Sequence, residues 1–207
     1  RYKIGVLIRD ELSGIGTVTY IEKVSGRFGS LGHAVCDEAH ESLTVADSSV
    51  YLCNIIGVNR GERGRAGDLK GLFLSDDKIA SADKVCETGL YGTFDEDYDY
   101  SALPTVEIAP LAAATIGSAV IYSTIDGTEP QAYDVAIAKV DPNNKQNKNF
   151  VIKVTDEDLL RETGGIVQGM SGSPIVQGGK LIGAVTHVFL NDPTRGYGIG
   201  IEKMIGN

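Results

Sequence analysis

The chain has 207 residues, enough for one large all-β domain or two small ones with ample apolar material for a core. Its 19 basic and 28 acidic side chains leave a formal charge of -9, and no basic, aromatic-rich stretch offers a local exception, which excludes a general nucleic-acid binder. No run approaches the roughly 18 consecutive apolar residues of a membrane-spanning helix. Arg1 is not an initiator residue, so a longer chain carrying a targeting or anchoring segment is expected.

Strands are expected at Tyr2 to Ile8, Gly16 to Glu22 and Ser49 to Val58, then around Leu69 to Leu74 and Val85 to Tyr91. The run Thr17-Val18-Thr19-Tyr20-Ile21 is β-branched and aromatic, and Ser25-Gly26 signals a turn before Phe28. Asp95 to Tyr100 carries four acids in six residues and reads as an exposed connection, the best boundary between two β lobes at approximately 1–100 and 101–207. Further strands are expected at Gly117 to Thr124, Tyr133 to Val140 and Phe150 to Val154. Thr155 to Arg161 is the clearest helical segment: Thr155 followed by Asp158 resembles a capping box, and Gly164-Gly165 stops it. Strands at Ile175-Val176, Lys180 to Val188 and Tyr197 to Ile201 complete an all-β pattern compatible with a double barrel.

The chemistry concentrates in Gly169-Met170-Ser171-Gly172-Ser173-Pro174. A sharply turning glycine frame around one serine suits a nucleophile and its oxyanion hole, because glycine keeps bulk away from the attacked carbonyl. Ser171 is preferred to Ser173, which precedes a proline that favours extended backbone. The amides of Gly169 and Ser171 are the expected oxyanion donors. His33, in the glycine-punctuated turn Gly29-Ser30-Leu31-Gly32-His33, is the candidate base. His40 sits in a polar run and reads as a surface residue. His187 ends an apolar strand and reads first as a packed histidine, then as a wall of a substrate pocket, then as an alternative base. Composition does not choose the acid that would orient the imidazole: Asp156, Asp158, Asp37 and the acids from 95 to 99 all qualify, and a carboxylate at a helix start also serves unpaired amides.

Cys36, Cys53 and Cys86 form no metal-ligand cluster and read as buried thiols, and the three histidines lack metal-ligand spacing. No cofactor or metal is expected. The glycines from 61 to 71 lack the ending of a phosphate-binding loop. Together the serine frame and the distant histidine predict a serine peptidase acting on proteins or peptides. A catalytically silent barrel that binds peptides or a membrane regulator is the alternative. An esterase elbow fits less well, since the frame departs from G-x-S-x-G at Ser173-Pro174 and the alternating βα pattern is absent.

Several segments resemble the SpoIVB peptidase family, the stage IV sporulation serine peptidases of endospore-forming bacteria. They are Gly14-Ile15-Gly16-Thr17, Phe28 to Ala34, Val154-Thr155-Asp156, the long run Thr163 to Ile175, Gly183 to Val188, Asn191 to Thr194 and Gly196-Tyr197-Gly198. The resemblance implies a chymotrypsin-like double β-barrel and endopeptidase activity with His33 and Ser171 as catalytic residues. It also selects Asp156 as the acid, only 15 residues before the serine. It further implies an upstream membrane anchor and PDZ domain, release into the space between forespore and mother-cell membranes, and self-cleavage. The implied substrate is the regulator of an intramembrane protease complex, whose cleavage triggers processing of a sigma factor.

Overall fold

The computed structural model describes residues 13–35 and 48–206. The expected strand at Tyr2 to Ile8 and the residues Cys36, Asp37 and His40 lie outside them. Strands β1 (Val18–Ile21), β2 (Arg27–Ser30), β3 (Ser48–Asn59), β4 (Asp68–Cys86) and β5 (Gly89–Phe94) form one antiparallel sheet in the order β1-β2-β5-β4-β3. It curls into a half-barrel. Strands β6 (Glu107–Ile108), β7 (Gly117–Ser123), β8 (Gln131–Val140), β9 (Phe150–Val154), β10 (Pro174–Gln177), β11 (Lys180–Phe189) and β12 (Asp192–Gly200) form the second sheet. There β10 pairs with both β7 and β11, which closes six strands into a barrel, and β6 adds to β11 in parallel. The arrangement is the chymotrypsin-like all-β fold, with one lobe closed and the other, among the described residues, open along one side.

Alternation explains the closed barrel. In β9, Phe150, Ile152 and Val154 are buried while Lys153 is exposed; in β8, Tyr133, Val135 and Ile137 turn inward in the same way. A continuous core of these residues with Ile121, Ile175, Ile182 and Val185 fills the interior. The open lobe has a smaller core around Phe28, Ala80, Ala82 and Phe94. Between the lobes, Tyr91 of β5 meets Ala184, Ile199, Ile201 and Met204, and the Tyr20 hydroxyl donates to the Met204 carbonyl at 3.1 Å.

Three local expectations are corrected. The separate strands at Leu69 to Leu74 and Val85 to Tyr91 are parts of other elements. β4 runs unbroken for 19 residues through the polar stretch at Ser75 to Lys78, because β3 and then β5 supply its ladder partners. The chain then turns at Glu87-Thr88 before Gly89 begins β5 at φ +139°. Phe28 follows the turn signalled at Ser25-Gly26, as expected, and lies in β2. The short helix α1 (Glu157–Thr163) is capped by Asp156 rather than Thr155: the Asp156 carboxylate accepts from the Leu159 amide, and Gly164 ends the helix at φ +76°. The acidic connection after β5 is more than a solvated loop, since Tyr98 stacks on Phe94 at 4.9 Å between ring centroids while Glu96 and Asp97 face water.

Candidate active site

The serine frame lies between α1 and β10 and is gripped from both lobes. The Thr17 amide donates to the Ser171 carbonyl (2.8 Å), and the Thr19 hydroxyl donates to the Gly172 carbonyl (2.7 Å). From the closed barrel, the Gly172 amide donates to Val185 O and the Val185 amide to Ser173 O, at 2.8 and 2.9 Å. Gly172 has to be glycine: its φ is +92°, and a Cβ there would collide with the Thr17 carbonyl and the Leu31 amide. Held in this way, the amides of Gly169 and Ser171 donate to no protein group among the described residues. Two unpartnered N–H groups flanking a serine provide the donors that an oxyanion requires.

The half-buried Ser171 hydroxyl donates to the Thr186 carbonyl at 3.0 Å. Ser173 is fully buried and its hydroxyl has no partner, so it is closed to substrate.

His33 arrives through two successive left-handed residues, Leu31 (φ +68°) and Gly32 (φ +72°). Such a conformation is uncommon for leucine, and it is held by the Leu31 amide on the Thr17 carbonyl (3.4 Å) with the Leu31 side chain against Gly16. Gly32 packs on Thr186 and Ile199, where a Cβ would collide. The His33 ring lies on His187, 4.9 Å between centroids. Serine and histidine are not hydrogen-bonded to each other, but each contacts one of two adjacent residues of β11: Ser171 the Thr186 carbonyl, His33 the His187 ring.

His33 Nδ1 is 2.7 Å from the Ala34 carbonyl oxygen. A carbonyl only accepts, so Nδ1 carries the proton and Nε2 keeps its lone pair, the tautomer a general base needs. Burial pushes the His33 pKa below its ordinary value, with the Ala34 bond opposing. His187 is pushed down to about 4, first by burial and then by the nearby charges of His33 and Lys148. Its side chain keeps an exposed face, which lets water screen part of that repulsion. Both rings are neutral at pH 7.

Asp156 is not brought to His33. One of its oxygens takes the Leu159 amide at 2.9 Å and the other takes the Asp134 amide at 3.3 Å. Asp158 is exposed and paired with Arg161, Asp95 pairs with Lys78, and Asp99 accepts from the Ser101 amide. None of the candidate acids among the described residues hydrogen-bonds His33. Sequence reasoning missed the roles of Thr17, Thr19, Ala34 and Thr186. The run Thr17-Val18-Thr19 signalled only strand propensity, and a backbone carbonyl leaves no side-chain signature.

The family model described as SpoIVB peptidase S55 matches residues 1–205. None of the curated protein sequences matches the chain. Similar solved structures include Rv3671c from M. tuberculosis H37Rv, a serine-to-alanine mutant in an inactive form, at 14% identity and a TM-score of 0.43 over 68% of this chain and 69% of that one. Another is the Rv3671c protease, also in an inactive form, at 16% identity and a TM-score of 0.41 over 69% and 70%. The match of the family model over nearly the whole length places this chain in the SpoIVB peptidase S55 family of serine endopeptidases.

Proposed function

We propose that Ser171 is the nucleophile, His33 its general base, and the Gly169 and Ser171 amides the oxyanion hole. The observation that carries this reading is the convergence on β11: the hydroxyl on Thr186 and the imidazole on His187, beside two free amides. An extended peptide lies along the cleft with its scissile carbonyl against those amides. The Ser171 hydroxyl turns from the Thr186 carbonyl toward His33 Nε2, which takes its proton as the oxygen attacks. The amides stabilise the oxyanion, His33 returns the proton to the leaving amine, and water hydrolyses the acyl-enzyme. The Ala34 carbonyl holds the ring in the required tautomer. For Asp156 the family resemblance supports the role of triad acid, while its hydrogen bonds support a role in seating α1. His187 forms a wall of the substrate site.

Membership of the family supports a wider reading. The physiological substrate is the regulator of an intramembrane protease complex, cleaved in the space between the forespore and mother-cell membranes to release processing of a sigma factor. The enzyme also cleaves itself and works with a PDZ domain and a membrane anchor. The experiment for the active site is labelling with a tagged fluorophosphonate, the site located by peptide mass mapping. Label on Ser171 that is lost in both Ser171→Ala and His33→Ala supports the assignment. A folded chain that labels elsewhere, or a Ser171→Ala variant that still cleaves peptides normally, overturns it.

A further inference from the structure

A strip of rings leads away from His33 over the outer surface of the closed barrel. The His187 ring packs against the His33 ring, tilted 44° to it, and Tyr197 of β12 is the direct cross-strand partner of His187. Phe189 lies 4.5 Å from Tyr197, and the Lys148 ammonium sits 4.8 Å above the Tyr197 ring. Register fixes which way these strands face. Gly196 and Gly198 oppose the fully buried Ile152 and Phe150, so Arg195 and Tyr197 face outward, as does Lys153, the partner of Arg195 on β9.

Lysine and arginine directly opposite each other repel, and no acid among the described residues forms an ion pair with either of them. Among the described residues, neither Lys148, Lys153 nor Arg195 forms an ion pair, and the Arg195 Nε is buried without a partner. The acids nearby form no ion pair with these cations. Asp192, the one acid on β12, accepts from the Thr194 hydroxyl and amide; Asp141 takes Lys139; Asp134, on the outer face of β8, pairs with none of the three; β11 has no acid. In a chain of net charge -9, a cationic patch that has no ion-pair partner among the described residues and reaches toward the candidate catalytic histidine is complementary to an acidic ligand.

We propose that the outer face of β9, β12 and β11 is a substrate subsite for an acidic stretch of the protein being cleaved, with Lys148, Lys153 and Arg195 binding its carboxylates and His187 guiding the chain to Ser171. The inference rests on the assignment of Ser171 and His33 for the direction in which the peptide runs. Steps of about 5 Å between neighbouring groups, against about 3.3 Å per residue of extended chain, give the strip room for roughly five residues. Aromatic faces between the cations suit the aliphatic and peptide parts of such a segment.

The test separates binding from catalysis. A fluorescein-labelled hexaglutamate peptide, and the same peptide with serine in place of glutamate, are titrated by anisotropy into the Ser171→Ala protein and its Lys148→Gln/Lys153→Gln derivative. The acidic peptide is expected to bind more tightly than the serine peptide, to lose about tenfold in affinity on the double lysine change, and to weaken as salt is raised. Equal binding of the two peptides, or acidic binding unmoved by the lysine changes, overturns the proposal. In the protein that retains Ser171, bound hexaglutamate is expected to slow fluorophosphonate labelling. Binding that follows the lysines but never affects labelling retains the acidic site and rejects its link to Ser171.

Discussion

Both carboxylate oxygens of Asp156 accept backbone amides, so substitution there separates two roles. Asparagine keeps an acceptor for the Leu159 amide and is as good a helix cap, whereas alanine removes it at a cost of about 1 kcal/mol. If Asp156 acts only as a cap, Asp156→Asn retains kcat and, losing only the longer bond from the Asp134 amide, most of the melting temperature, while Asp156→Ala lowers it by several degrees. A kcat lost in the asparagine variant at unchanged stability would instead make the aspartate the triad acid. At the same scale, His33 has to be neutral to act as a base, and burial lowers its pKa. The acid limb of kcat/KM is therefore expected below the ordinary histidine value of about 6.5. His187→Ala opens the His33 ring to water, and the limb should move back up toward that value in a pH–rate profile.

Among the elements, the strand entering the first sheet and the serine loop form one unit. Thr19 is buried, and its hydroxyl is the side-chain partner of the Gly172 carbonyl. Thr19→Val keeps the shape and β-branching but leaves that carbonyl without its donor, a loss of about 1–3 kcal/mol in stability. Because the same loop presents the Gly169 and Ser171 amides, kcat should fall more than KM rises, and Thr19→Ser should restore most of it. Gly172→Ala is expected to be harsher, since the positive φ and the collision with the Thr17 carbonyl act together. Loss of fluorophosphonate labelling alongside a lowered melting temperature would register both effects.

For the whole molecule, the proposed site depends on the lobes staying docked, because His33 follows a strand of the open sheet and Ser171 precedes a strand of the closed barrel. Met204 is completely buried in the seam beside Tyr91 and Ile199. Met204→Ala should cost about 2–5 kcal/mol and reduce activity at temperatures below global unfolding, which activity and circular dichroism melts read together. The two histidines also link stability to pH. Their folded-state pKa values lie below the unfolded value, so protonation favours the unfolded chain. No stability is lost above pH 6.5 or so; it falls as pH drops through that value toward about 4, where His187 also charges in the folded state. Melting temperatures across that window should fall less steeply in His187→Ala.

The amino-acid sequence by itself determined the all-β character, because alternation at Phe150, Ile152 and Val154 and at Tyr133, Val135 and Ile137 is a local property of extended chain. It also marked the serine frame and the histidine turn, since left-handed backbone at Gly32 and Gly172 calls for glycine. Tertiary structure decided the rest. The unbroken length of β4 depends on partners far away in sequence, and Ser171 and His33 converge on one strand because Thr186 and His187 are neighbours in β11. Among the described residues the Gly169 and Ser171 amides stay without partners while Thr17, Thr19 and Val185 take the neighbouring backbone groups. Asp156 could be read as acid or cap until folding set its oxygens against two amides, and the repulsion between Lys153 and Arg195 arises only from the register of β9 on β12. These are pairings between residues that share no local pattern, and only the packed chain brings them together.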